Sequence, residues 1–180
     1  MARATLQMVG KLLGSLFPED KSAPCYTYVL HGPPGVGKSS LAFKLAKKAL
    51  EECSERGAVN ALWIDLRGTG SLLEAARMVL QQVHRNSGAP PYEESEDVHK
   101  LLQQVEELLG KDPWLKGSLL ILDNTEDLQR QTGSNESLKR LLECLAADHT
   151  RVVVTTRTKY QPSKGQLLSV KALEEEFRKK

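Results

Sequence analysis

The run Gly32-Pro33-Pro34-Gly35-Val36-Gly37-Lys38-Ser39 constrains this chain more than any other eight residues. Glycine at 32, 35 and 37 permits positive φ and leaves no Cβ, so successive backbone N–H groups can turn inward as a concave anion site. The spacing is that of a phosphate-binding loop, G-x-x-x-x-G-K-[ST], matched at every fixed position. In that pattern the lysine brings a point charge to the β- and γ-phosphates, and the serine hydroxyl is placed to ligate Mg²⁺. The flanks supply the context the motif needs. Tyr26 to Leu30 is aromatic and β-branched and reads as a strand. Leu41, Leu45, Ala49 and Cys53, with Ala42, Ala46 and Leu50 beside them, form the buried stripe of a following helix. That helix points its N-terminal partial charge at the same anion. A Gly/Pro turn with a chance lysine would lack both flanks. Residues 32 to 40, including Pro33, Pro34, Val36 and Ser40, are therefore the expected cradle for ATP or ADP with Mg²⁺.

The rest of the chain alternates between two periodicities. Leu6, Val9, Leu12, Leu13 and Leu16 mark an amphipathic N-terminal helix, broken at Phe17 to Ser22. After the loop-borne helix, closed at Gly57, Val59 to Leu66 reads as a second strand. Ser71 with Glu74 makes a capping box for a helix burying Leu72, Ala76, Val79, Leu80 and Val83. A polar loop over 85–94 precedes a third helix opened by Ser95, with Val98, Leu101, Leu102, Val105 and Leu109 on one face. Ser118 to Leu122 is short and wholly apolar, as a central parallel strand covered on both faces should be. Polar residues Gln129 to Asn135 lead to a helix carrying Leu138, Leu141, Leu142 and Leu145. Arg151 to Thr156 is the most β-branched run, and Gln166 to Val170 reads as a last short strand. Strands alternating with helices imply an α/β fold with a parallel sheet, whose ligands sit at the carboxyl ends of the strands. The expected division is an N-terminal helix and linker over 1–21, a nucleotide-binding domain over 22–172 and a charged tail over 173–180.

Two more strand ends carry chemistry. Asp123 closes the apolar run Leu119 to Leu122; beside a phosphate loop, a strand-end acid can hold Mg²⁺, usually through water, whereas alone it would read as a turn cap. Ser39 and Asp123 are thus the metal candidates. Asn124 follows, where many ATPases of this layout carry a second acid. An amide can orient water but cannot take its proton, so tight binding with slow hydrolysis is expected, with Asn124 as the limit. Glu126 and Asp127 lie close enough in sequence to substitute in part, a weaker reading. Arg157, past Thr155-Thr156, offers a guanidinium whose fork suits phosphate oxygens; the bland alternative is a solvated arginine. Lys38, Asn124 and Arg157 are the candidate catalytic residues.

A net charge of +2 is too small to argue for nucleic acid or a membrane surface, and no apolar run approaches the ~20 residues of a membrane span. The N-terminus lacks a signal peptide's apolar stretch. Cys25, Cys53 and Cys144 are odd in number and sit in apolar patterns, which suggests buried free thiols in a reducing, cytoplasmic setting. His31, His84, His99 and His149 show no ligand spacing and read as surface or element-edge residues.

Taken in order, HGPPGVGKSSLA, ALWIDLRG, LLILDN and RVVVTTR resemble the STAND class of phosphate-loop NTPases, which includes the NB-ARC and NACHT domains of apoptosis and immune receptors. The resemblance spans roughly residues 22 to 172. It implies a three-layer fold with a five-stranded parallel sheet of order 5-1-4-3-2, and Arg157 as sensor of the γ-phosphate. It also implies a weak ATPase acting as a signalling switch, closed with ADP and opened by ATP for self-association in the full-length protein. Protein partners would come through flanking domains. The helical and winged-helix parts that normally follow this core lie outside the chain, and a fragment and a stand-alone remnant both fit. An AAA+-type motor or loader is the main alternative, since Gly-Pro-Pro-Gly-x-Gly-Lys resembles that class closely, although Thr156-Arg157 stands where AAA+ proteins usually carry an asparagine-type sensor. A non-catalytic nucleotide-binding scaffold is the third.

Overall fold

Leu119 to Asp123 is buried at every position, so this strand can lie only in the middle of a sheet with cover on both faces. The computed structural model describes residues 2–18, 27–52, 60–87, 91–112, 115, 118–131, 135–146, 150–162 and 165–170. Its elements are α1 (Ala2–Leu16), β1 (Thr27–His31), α2 (Lys38–Glu52), β2 (Ala61–Asp65), α3 (Leu72–Ser87) and α4 (Val98–Lys111). They continue as β3 (Leu119–Asp123), α5 (Glu126–Gln131), α6 (Glu136–Leu145), β4 (Arg151–Thr156) and β5 (Gln166–Ser169). The five strands pair in the order β2-β3-β4-β1-β5, all parallel. Read from the other edge this is the expected 5-1-4-3-2.

Side chains alternate across the sheet with period two. Leu120, Leu122, Val152, Val154, Val29, Leu62 and Ile64 point to one face, where α3, α4 and α6 cover them with Val79, Leu101, Leu141 and their neighbours. Leu119, Ile121, Val153, Tyr28 and Leu30 point to the other, under α1 and α2. Three layers result, with the phosphate loop at the carboxyl end of β1.

Local chemistry explains the ends of the elements. Ser71 and Glu74 form the expected reciprocal box at α3: the Glu74 N–H donates to Ser71 Oγ at 3.2 Å, and Glu74 Oε2 accepts from Ser71 N at 3.3 Å. The next helix begins at Val98 rather than at Ser95. Asp97 is its cap, with Oδ1 accepting from His99 N at 2.9 Å, while Ser95 Oγ accepts from Asp97 N one step earlier. The short helix α5 is not foreseen in the sequence. Two residues expected on apolar faces, Leu6 and Leu50, are exposed at 54% and 41%. Cys144 is a buried free thiol. Cys25, Cys53, His149, the helix stop at Gly57, the start of the second strand at Val59 and the tail over 173–180 lie outside the described residues. Among the described residues, no helix is long and apolar enough to cross a membrane.

Candidate nucleotide site

The loop between β1 and α2 turns through Gly35 at φ 76° and Gly37 at φ 91°, values that L side chains rarely adopt. Lys38 opens α2. Its ammonium donates to the carbonyl of Gly32 at 2.9 Å and to that of Pro33 at 3.1 Å, so the loop curls around its own lysine. Burial pushes the Lys38 pKa down; Arg157 adds to this, while the carboxylates of Glu126 and Asp123 oppose it. His31, just before the loop, is likewise pushed down, by burial and then by Lys159 and Lys38.

Ser39 Oγ donates to Asp123 Oδ1 at 2.8 Å, which joins the start of α2 to the end of β3. Thr155, at the end of β4, donates its hydroxyl to the same oxygen. A hydroxyl and a carboxylate converging in this way are hard oxygen donors of the kind Mg²⁺ prefers. Asn124 has φ 59°, a left-handed conformation that asparagine tolerates better than most residues. Its amide nitrogen donates to Asp65 Oδ1 at 2.8 Å and to Asp123 Oδ2 at 3.2 Å. Asp65 stands opposite Asp123 in the β2–β3 register, so the amide bridges two carboxylates at adjacent strand ends.

Arg157 and Glu126 meet. Arg157 Nε lies 2.7 Å from Glu126 Oε1, with the arginine side chain 47% exposed and the glutamate buried. The other oxygen, Glu126 Oε2, is buried with no hydrogen-bond partner among the described residues. A buried carboxylate oxygen without a hydrogen bond is costly unless a ligand answers it. Three further bonds weld the strand ends together. The Gly32 N–H donates to Thr156 O at 3.3 Å, Thr125 N to Thr155 O at 3.1 Å, and Asn124 N to Thr155 Oγ1 at 3.1 Å.

The structure thus gathers Lys38, Ser39, Asp123, Asn124 and Arg157 around the carboxyl ends of β1, β3 and β4. Pro33, Pro34 and Gly35 lie exposed on the loop's outer turn, and Ser40 is exposed on α2. Sequence reasoning underweighted Glu126 and missed Asp65, Thr155 and Gln129, which also line or brace this region. The signals were an acid three residues past Asp123, at the first turn of a short helix, and a second acid at the end of the neighbouring strand.

Among known families, the NACHT domain matches residues 26–179. Curated proteins give no match. Among solved structures, the Aeropyrum pernix ORC1 protein in complex with DNA is similar with a TM-score of 0.62 and 16% identity, over 88% of this chain and 38% of that one. The Aeropyrum pernix ORC2 protein in its ADPNP–ADP complexes gives 0.59 and 16%, over 97% and 43%. Drosophila ORC bound to DNA gives 0.60 and 16%, over 94% and 46%. At these identities the likeness is one of fold, and the chain spans less than half the length of each of these structures.

Proposed function

Because the chain belongs to the NACHT domain family and so is a nucleotide-binding P-loop NTPase, we propose that it is the ATP/ADP-binding core of a STAND-type signalling switch with slow Mg²⁺-dependent hydrolysis. The observation that carries the proposal is the pairing of Arg157 with Glu126 next to the bonded Ser39 and Asp123. In our assignment residues 32 to 40 cradle the phosphates, and Lys38 gives up the Gly32 and Pro33 carbonyls for them. Ser39 and Asp123 hold Mg²⁺, which neutralises phosphate charge when bound. Arg157 faces the γ-phosphate. Glu126 orients the attacking water with its unpartnered oxygen, and Asn124 sets the Asp123 carboxylate.

Slow hydrolysis follows from the same groups. The residue after Asp123 is an amide, which cannot take a proton. Glu126 is tied to Arg157 through its other oxygen, and that tie must break before Arg157 can reach a phosphate. We assign residues 22–172 to the nucleotide-binding domain, 1–21 to an N-terminal helix and linker, and 173–180 to a charged tail. The switch would act in the cytoplasm, in innate immunity or apoptosis, with ATP licensing self-association through domains flanking this core.

The test is nucleotide discrimination. Loss of a charge-assisted contact costs roughly 1.5–3 kcal/mol. Arg157→Ala should therefore weaken a non-hydrolysable ATP analogue by about ten- to a hundredfold and leave ADP nearly unchanged. Equal losses for both would end the sensor assignment. The fold shared with the ORC structures favours a second reading, an AAA+-type motor or loader; turnover stimulated by DNA would select it. Nucleotide binding without turnover, with or without Mg²⁺, would select a non-catalytic scaffold.

A further inference from the structure

We propose that Gln129 is a positioning residue for nucleotide sensing: from α5 it fixes the turn that carries Arg157, so the arginine can exchange Glu126 for a phosphate while its backbone stays in place. The inference rests on Arg157 being the group that faces the γ-phosphate. Gln129 is 6% exposed. Its Oε1 accepts from the hydroxyl of Thr156 at 2.6 Å and from that of Thr158. The residues on either side of Arg157 are therefore bound to one amide oxygen. Thr156 Oγ1 also accepts from Thr158 N at 3.2 Å, which closes the turn on itself.

The other end of the amide is anchored as well. Gln129 Nε2 donates to Asn135 Oδ1 at 3.0 Å, and Asn135, the N-cap of α6, uses its side-chain oxygen there rather than on its own helix. The position thus needs an acceptor for two hydroxyls and a donor for a third partner. An amide of this length supplies both; an ionised glutamate would lose the donor, and a methionine would lose the donor and keep only a weak acceptor.

Glu126 and Gln129 lie three apart on α5 and so share a face. They hold the arginine turn in different ways. The Glu126 contact is an ion pair to a half-exposed side chain, which a phosphate can outcompete. The Gln129 contacts reach the buried Thr156 and do not involve the guanidinium. From the other side, Thr156 O accepts the Gly32 N–H, so the held turn is also joined to the phosphate loop.

The experiment measures affinities of the full chain for a non-hydrolysable ATP analogue and for ADP by calorimetry. The variants are Gln129→Met, Thr158→Val, Arg157→Ala and the double Gln129→Met/Arg157→Ala. Gln129→Met should cut the preference for the ATP analogue about three- to tenfold with ADP affinity kept, the scale of losing neutral hydrogen bonds. Thr158→Val, at an exposed position, should act in the same direction by a smaller factor and carries the test if Gln129→Met does not fold. In the double variant, Gln129→Met should add nothing to the loss caused by Arg157→Ala. A wild-type preference in both Gln129→Met and Thr158→Val, with Arg157→Ala impaired, overturns the inference and leaves the sensor assignment standing. Equal losses for both nucleotides, or additive losses in the double variant, reduce Gln129 to a structural role and also overturn it. An unaltered preference in Arg157→Ala removes the sensor assignment itself, and this inference with it.

Discussion

Lys38 places its ammonium on two carbonyls of its own loop, so under the proposed assignment nucleotide binding would exchange those bonds for phosphate contacts rather than create contacts from nothing. The charge still decides the outcome, because a carbonyl offers a partial charge and a triphosphate several full ones. Lys38→Ala should weaken ATP and ADP alike by tenfold or more, about 1.4 kcal/mol at least, in a calorimetric titration. Unchanged affinity would remove the loop from the site. Glu126 and Asn124 make different predictions. Glu126→Gln should lower single-turnover hydrolysis on the order of a hundredfold while ATP stays bound. Asn124→Asp would raise turnover if an empty base position were the bottleneck. The geometry predicts no rise, since the new carboxylate would stand against Asp65 and Asp123 where an amide now donates to both. A faster Asn124→Asp enzyme would return the base to position 124. The phosphate loop and Asp123 were legible because their motifs are local. The Arg157–Glu126 pair was not, because it joins the end of β4 to the first turn of a helix that sequence periodicity does not reveal.

Elements differ in how openly the sequence declares them. Strands β1, β3 and β4 were readable to within a residue or so, because buried parallel strands are continuous apolar runs and leave little choice of boundary. Helix α5 was unreadable for the converse reason: six residues, EDLQRQ, hold too few turns to show an apolar stripe. At α4 the error was a choice between two capping residues, Ser95 and Asp97, that both bond the chain entering the helix. Leu6 shows another limit. Periodicity says which side of a helix is apolar, but not how far the neighbour beneath it extends. Packing of α6 on α4 gives a measurable consequence. Cys144 lies between them, its Sγ donating to Leu102 O at 3.4 Å, and burial, with Glu106 adding to it, pushes its pKa up to about 12. At pH 8 the thiolate is scarce and shielded, so iodoacetamide should leave Cys144 unlabelled in the folded chain, read residue by residue by mass spectrometry. Rapid labelling without unfolding would mean that α6 opens independently of the sheet.

In the whole molecule, α1 belongs to the same core as α2, with Met8, Val9, Leu12, Leu13, Leu16 and Phe17 buried against it. Arg151, at the start of β4, secures that cover: its Nε donates to Leu16 O at 2.5 Å, and its guanidinium lies 4.2 Å over the centre of the Phe17 ring. Arg151→Ala should lower unfolding stability by about 2–4 kcal/mol in a urea titration, the sum of a charged hydrogen bond and a desolvated cation–π contact. A loss below about 0.5 kcal/mol would show that α1 is held by its apolar face alone. The strand order was legible only through resemblance, because no local pattern tells β1 that its neighbours are β4 and β5. That order also sets a timetable for synthesis. β1 pairs with Val152 through Thr27 and with Gln166 through Tyr28, residues made long after it. On the ribosome, the phosphate loop therefore emerges with neither of the strands that will flank it, and waits about ten seconds at ordinary elongation rates. Until β4 arrives, Gly32 lacks the Thr156 carbonyl that fixes its entry. The loop's entry is therefore completed only late in synthesis, and until then the edges of β1 stay open while the apolar faces of β1 and α2 lack the rest of the sheet that will cover them.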